Sequence, residues 1–338
     1  MIKTFGAPLP ADPESGEAGQ PAPAQTRLAA TIELVFALTS FVLLAGFLPP
    51  MMYFVAGDFL PDIPFAKYAS RALLVGAVLA LGPVMWRQWQ LSRREAAARA
   101  EAESAEGIDN KGFRAMPALS GMGGGFLAGV LSLAALCLAH MATGAREWSG
   151  GLQIQTGINA MVTGWLISVA EELVFRGGLQ LLLIRIAGGP VGWIIAALLF
   201  ALAHFLKPGT DYAPSTISVT WFSGFEALGW AAAPLANPDT YGTAFIAYLL
   251  VGLILGGLAW GTGNLWAAIG LHAGWVFALK VGSVVTKPTG GAHTGMGDLL
   301  TGIPSLAVLG ATGIAVAGWL LWRQRARMGS SKTEALVP

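Results

Sequence analysis

The stretch Glu171-Glu172-Leu173-Val174-Phe175-Arg176-Gly177 lies inside an apolar run that extends over roughly 158–186. A run of that length is read as a membrane-spanning helix, which needs about 20 apolar residues. An ionised side chain at the centre of such a helix costs at least ~2.5 kcal/mol. Two adjacent carboxylates there are therefore expected to have a use. Two further costly residues stand in later apolar runs: His204 closes Leu199-Phe200-Ala201-Leu202-Ala203-His204, and His272 lies within Ile269-Gly270-Leu271-His272-Ala273-Gly274-Trp275. Together these positions describe one buried polar site assembled from several helices.

The rest of the chain agrees with a membrane setting. Its 338 residues are 54% hydrophobic and 12% charged, against about 25% charged in an ordinary soluble domain. Eight segments have the length and apolar character of spans: 28–47, 68–86, 118–141, 158–186, 191–206, 242–260, 265–285 and 303–322. The expected fold is an all-α, polytopic transmembrane helical bundle of about eight spans, with the site between the fourth, fifth and seventh. Gly188-Gly189-Pro190 is a strong turn signal that makes the fourth and fifth a tight hairpin. Residues 1–27, rich in Pro, Ala, Gly and Glu, are expected to be a disordered tail. The membrane domain then covers 28–322, and 323–338 form a basic cytoplasmic tail. The Ala/Glu/Arg-rich stretch 93–106 reads as a solvated helix between the second and third spans.

Charge and cysteine usage exclude several classes. A net charge of +1 gives no footprint for nucleic acid, and the single Cys137 allows neither an internal disulfide nor a cysteine-based metal site. With the amino terminus inside, 14 of the 20 Lys and Arg residues fall in inner segments. Positive segments are retained in the cytoplasm, so both termini are expected there.

Helical spacing sorts the polar positions. Glu172 and Arg176, four apart, share a face and can form an ion pair with the acid on the amino-terminal side, the better orientation. Glu171 has Phe175 four residues on and so points elsewhere. His204 shares a face with Phe200, and a lone histidine of that kind is more often a packed residue bonded to a backbone carbonyl. Measured from the Gly188-Gly189 turn, Glu171 and His204 both lie about 23–26 Å along their helices and can meet, while His272 lies about 12 Å from Asn264. A carboxylate in a low-dielectric pocket suits a general base that takes a proton from water and later returns it. Imidazoles beside it can hold that water or donate to a developing oxyanion. The same set, Glu171, His204 and His272, can instead ligate zinc.

Glu171-Glu172-x-x-x-Arg176, Phe200-x-x-x-His204 and the later His272 resemble the three motifs of the CPBP family of intramembrane proteases, which includes the type II CAAX prenyl endopeptidases and the bacterial Abi proteins. The resemblance covers 163–279, about a third of the chain. It implies a multi-pass endopeptidase acting on a membrane protein or lipidated peptide in the bilayer. It further implies that Glu171 activates the hydrolytic water, that Glu172 and Arg176 shape the site, and that His204 and His272 position the water or stabilise the oxyanion. The family is described both as metal-dependent and as metal-free; the first expectation here is no required cofactor, with zinc the alternative. The family's third motif commonly carries asparagine four residues after the histidine, where this chain has Val276. Valine cannot donate a hydrogen bond, and the Trp275 indole or Asn264 is the nearest substitute in sequence.

Two other classes fit the same residues. A non-catalytic scaffold or bacteriocin-immunity-type protein of this fold would tolerate Val276. A transporter relaying protons through Glu171, His204 and His272 would usually show duplicated halves, and none is visible. Glu33 reads as an interfacial residue, and Trp221, Phe222, Phe225 and Trp230 in 207–241 read as anchors at the membrane interface.

Overall fold

The computed structural model describes residues 24–56, 59, 63–105, 118–206, 219–236, 242–289 and 299–334. Most of the expected amino-terminal tail lies outside them. Among the described residues, the regular structure is helical apart from two three-residue strands. In order, the elements are α1 (Ala24–Ala56), α2 (Phe65–Ala105), α3 (Ala118–Ala142), β1 (Arg146–Trp148), α4 (Ile154–Glu172), a π-helix (Leu173–Gln180), α5 (Leu181–Ala187), α6 (Gly189–Ala203), α7 (Ser223–Ala232), a 3₁₀ turn (Ala233–Ala236), α8 (Gly242–Thr262), α9 (Trp266–Val285), β2 (Thr286–Pro288) and α10 (Gly302–Glu334).

Six helices among the described residues are long and apolar enough to cross a membrane: Thr26–Ala56, Phe65–Gln88, Ala118–Ala142, Gly242–Thr262, Trp266–Val285 and Gly302–Arg325. Two of the eight expected spans differ. The fourth is divided into α4, the π-helix and α5, and α4 is diluted by Gln155, Thr156, Asn159 and Thr163. The fifth, α6, has 15 residues, about 22 Å at 1.5 Å per residue, short of the ~30 Å hydrocarbon layer. The solvated helix expected at 93–106 is the continuation of α2, which runs to Ala105. Leu119, Leu127, Leu131 and Leu138 of α3 and Leu28, Ile32, Val35 and Phe36 of α1 stand exposed, as lipid-facing side chains do. The chain is a multi-pass integral membrane protein.

The chain divides into two compact units. The first contains the described residues of 87–172 and those from 250 onward, and its centre is α9, packed between α3 and α4. Lipid supplies little hydrophobic drive between helices, so close backbone packing at small residues takes its place. Gly125 and Gly129 of α3 and Gly270 and Gly274 of α9 serve this purpose: a Cβ on Gly270 would collide with the Met122 carbonyl, one on Gly274 with that of Phe126, and one on Gly125 would stand 2.5 Å from Ala267 O. At the far end of α3 and α9, β1 pairs antiparallel with β2. Buried Arg146 secures this pairing, donating from Nε to Thr286 Oγ1 at 2.8 Å and from a terminal nitrogen to Thr286 O at 2.9 Å.

The second unit contains the described residues of 19–86 and 173–249. Gly188, at φ 88°, makes the sharp turn between α5 and α6, confirming the expected hairpin. Gly192 then lets the two backbones close, since a Cβ there would stand 2.5 Å from the Leu183 carbonyl carbon. The aromatic segment before α8 holds a helix, α7. Phe225 packs edge-on against Phe47 of α1 at 5.0 Å, and Trp221 against Phe54 at 5.0 Å. Trp230 and Phe222 remain largely exposed, in keeping with an interfacial role.

Candidate active site

The acid pair ends α4. One stripe of that helix, Ala160, Gly164, Ser168 and Glu172, is buried and follows the four-residue spacing of a single face. The stripe faces α9, because a Cβ on Gly164 would stand 3.1 Å from Ala273 O and 3.4 Å from Phe277 N. Two turns further on, Glu172 reaches His272, so the two helices run antiparallel. Glu172 is 0% exposed, and its Oε1 lies 2.9 Å from His272 Nδ1. An ionised carboxylate only accepts, so Nδ1 donates. The other ring nitrogen, Nε2, lies 3.7 Å from Glu171 Oε2. Glu171 is the more accessible acid, its side chain 19% exposed. His272 is thus held between two carboxylates, one buried and bonded, the other more open.

The imidazole is fixed from behind as well. Gly270 and Gly274 flank it two residues to either side and press the α9 backbone onto α3. Trp275 Nε1 donates to Ser132 Oγ of α3 at 2.7 Å. Asn264 holds the turn before α9, its Oδ1 accepting from Trp266 N at 3.1 Å and its Nδ2 donating to Thr262 O at 3.4 Å. Both side chains that sequence offered in place of the family asparagine are therefore engaged elsewhere, Trp275 in helix packing and Asn264 in the turn. Val276 is half-buried one turn beyond His272.

Ser168 is a residue that sequence reasoning passed over. It is 0% exposed, and its Oγ forms no hydrogen bond among the described residues. Serine in an apolar helix commonly bonds back to the carbonyl four residues earlier. A buried hydroxyl left unsatisfied costs about 1–3 kcal/mol. Extending the Glu172 face back by one turn in sequence would have found it.

Arg176 and His204 are described in the second unit, where both bear on Phe200. The π-helix follows the acid pair directly, and π-turns of this kind occur often at functional sites. It carries Arg176, 3% exposed, with the guanidinium 4.4 Å from the Phe200 ring centroid and 5.9 Å from that of Phe175. A desolvated cation over an aromatic face contributes about 2 kcal/mol. His204 caps α6; its Nδ1 donates to Phe200 O at 2.8 Å, the backbone bond expected of a packed histidine. Its ring stacks on Tyr248 at 4.2 Å, with 25° between the planes. Nε2 is the nitrogen that this bond leaves to other partners.

The structure thus brings Glu171, Glu172 and His272 into one cluster, and it sets Arg176 and His204 around a shared phenylalanine. Among the described residues, no group of three or more His, Cys, Asp or Glu side chains is arranged to hold a metal ion.

The fold is all-helical and multi-pass, with two carboxylates and a histidine clustered inside its apolar helices. Residues 153–278 match the family model described as type II CAAX prenyl endopeptidase Rce1-like. No curated protein and no solved structure matches the chain.

Proposed function

We propose that the protein is an intramembrane endopeptidase that hydrolyses a peptide bond of a membrane-associated substrate, a lipidated CAAX-type peptide or a membrane protein, with Glu171 as general base. The observation that carries this reading is the placement of His272 between Glu172 and Glu171. With Nδ1 bonded to Glu172, Nε2 faces Glu171 at 3.7 Å, too far for a good direct hydrogen bond and close enough for one water to contact both. Glu171 takes a proton from that water as its oxygen attacks the scissile carbonyl carbon. The protonated acid then delivers the proton to the leaving amine as the C–N bond breaks. Glu172 fixes the tautomer and orientation of His272. Arg176 and His204 enter this assignment through the motif they share with the family, as groups that shape the site and position water or the oxyanion. Metal-free catalysis is the preferred form, because zinc bound through Glu171 would occupy the base. Both termini are assigned to the cytoplasm.

The test is cleavage of a fluorogenic farnesylated peptide ending in a CAAX sequence, by purified protein in bilayer discs, beside Glu171→Gln. Turnover is expected from the native protein, with a loss of about 10²–10⁴ in the variant. Retained turnover in folded Glu171→Gln would overturn the base assignment. A second reading, a non-catalytic scaffold of the same fold, is favoured by Val276. It predicts that the native protein cleaves neither this peptide nor a panel of membrane proteins.

A further inference from the structure

We propose that Ser168 is a positioning residue for the Glu172–His272 pair, its hydroxyl joined to that pair through one buried water. This rests on the hydrolytic reading above. Ser168 lies midway along the buried stripe between Gly164, which touches α9 at Ala273 and Phe277, and Glu172, which is bonded to His272. It shares a face with Glu172 and stands three residues before Glu171, the two spacings that make neighbours on a helix. Its Oγ is fully buried and has no hydrogen-bond partner among the described residues. A hydroxyl both donates and accepts. The stripe's own spacing makes the acid pair its neighbours along α4, and Glu172 is bonded to His272. Buried waters typically make about three hydrogen bonds to otherwise unsatisfied polar groups. A water beneath the pair, bonded to Ser168 and to the Glu172 carboxylate, would hold that carboxylate and, through it, the imidazole.

The experiment has a readout that needs no substrate. The protein, with its 4 histidines labelled with ¹⁵N and His272 assigned by His272→Gln, is compared with Ser168→Ala and Ser168→Cys. Alanine removes the hydroxyl, and cysteine keeps the volume with a much weaker donor. The His272 ring nitrogen shifts are expected to move in both variants, while those of His140 and His204 stay in place. On the farnesylated peptide, kcat should fall about ten-fold in both with KM unchanged. Unmoved His272 shifts in Ser168→Ala overturn the proposal, whatever the peptide shows. Native shifts and rate in Ser168→Cys overturn it too, because volume alone would then suffice. A native protein that cleaves neither this peptide nor a panel of membrane proteins overturns the hydrolytic reading instead, and it leaves the ring shifts to decide the role of Ser168.

Discussion

His272 Nδ1 lies 2.9 Å from Glu172 Oε1, joining residues 100 positions apart, while Nε2 of the same ring faces Glu171 Oε2 at 3.7 Å. The two acids of one dipeptide therefore take unequal shares of a single imidazole. Hydrogen bonds to charged groups contribute about 1.5–3 kcal/mol. A double-mutant cycle of Glu172→Gln and His272→Gln, read by thermal unfolding in detergent, should return a coupling in that range. Glu171→Gln with His272→Gln should couple more weakly. Equal couplings would mean that the imidazole is shared evenly and that the asymmetry is wrong.

Adjacent glycines in α3 should respond in opposite ways. A Cβ at Gly124 meets nothing within 4 Å, whereas one at Gly125 would stand 2.5 Å from Ala267 O and 2.8 Å from Leu271 N. Gly124→Ala should be neutral or stabilise by up to ~1 kcal/mol through helix propensity. Gly125→Ala has to push two backbones apart, and its unfolding midpoint should drop by several degrees. A matching response at the two positions would contradict the close contact of α3 with α9.

Metal dependence can be separated from hydrogen bonding on one preparation. If His204 and His272 act as hydrogen-bonding groups, activity survives exhaustive chelation, and His204→Ala and His272→Ala each lower it without altering metal content. An essential zinc would supply both the activated water and the Lewis acid. Stoichiometric zinc that leaves together with activity and restores it on readdition would reverse the preferred form.

Orientation follows from the distribution of basic residues. Reporter fusions after Arg114 and after Arg327 should both read cytoplasmic, and a fusion at Ser149 should read outside. An outside signal at either of the first two positions would overturn the assignment of the termini.

Much of this architecture could be read from the residues alone. Long apolar blocks point to the helices, the Gly188-Gly189-Pro190 turn to the α5–α6 hairpin, and the energetic cost of Glu171, Glu172, His204 and His272 to a polar site, in which the structure clusters Glu171, Glu172 and His272. Other features depend on information that hydropathy does not carry. Apolar residues around Leu173–Gln180 are compatible with either four- or five-residue hydrogen bonding, so the π-helix was not visible, and neither was the division of the expected fourth span. The pairing of Arg146–Trp148 with Thr286–Pro288 joins segments of three residues, too short for an alternation pattern. Helix spacing offers Arg176 as a neighbour of Glu172, and it cannot register His272, 100 positions on, because spacing reaches only neighbours along the chain. The glycines at 125, 129, 270 and 274 recur at four-residue spacing, a pattern that hydropathy does not register.

Those glycines act on the chemistry at a distance, as a bearing acts on a lever. A side-chain tip stands about 5–6 Å from its helix axis, so turning α9 by about 10° would swing the His272 ring by about 1 Å. A displacement of that size can cost about a hundred-fold in rate. With Gly270 and Gly274 seated against the backbone of α3, the helix has little room to turn. The angular tolerance of the imidazole is thus set by residues that have no side chain. Enlargement at either glycine should therefore lower kcat together with the unfolding temperature.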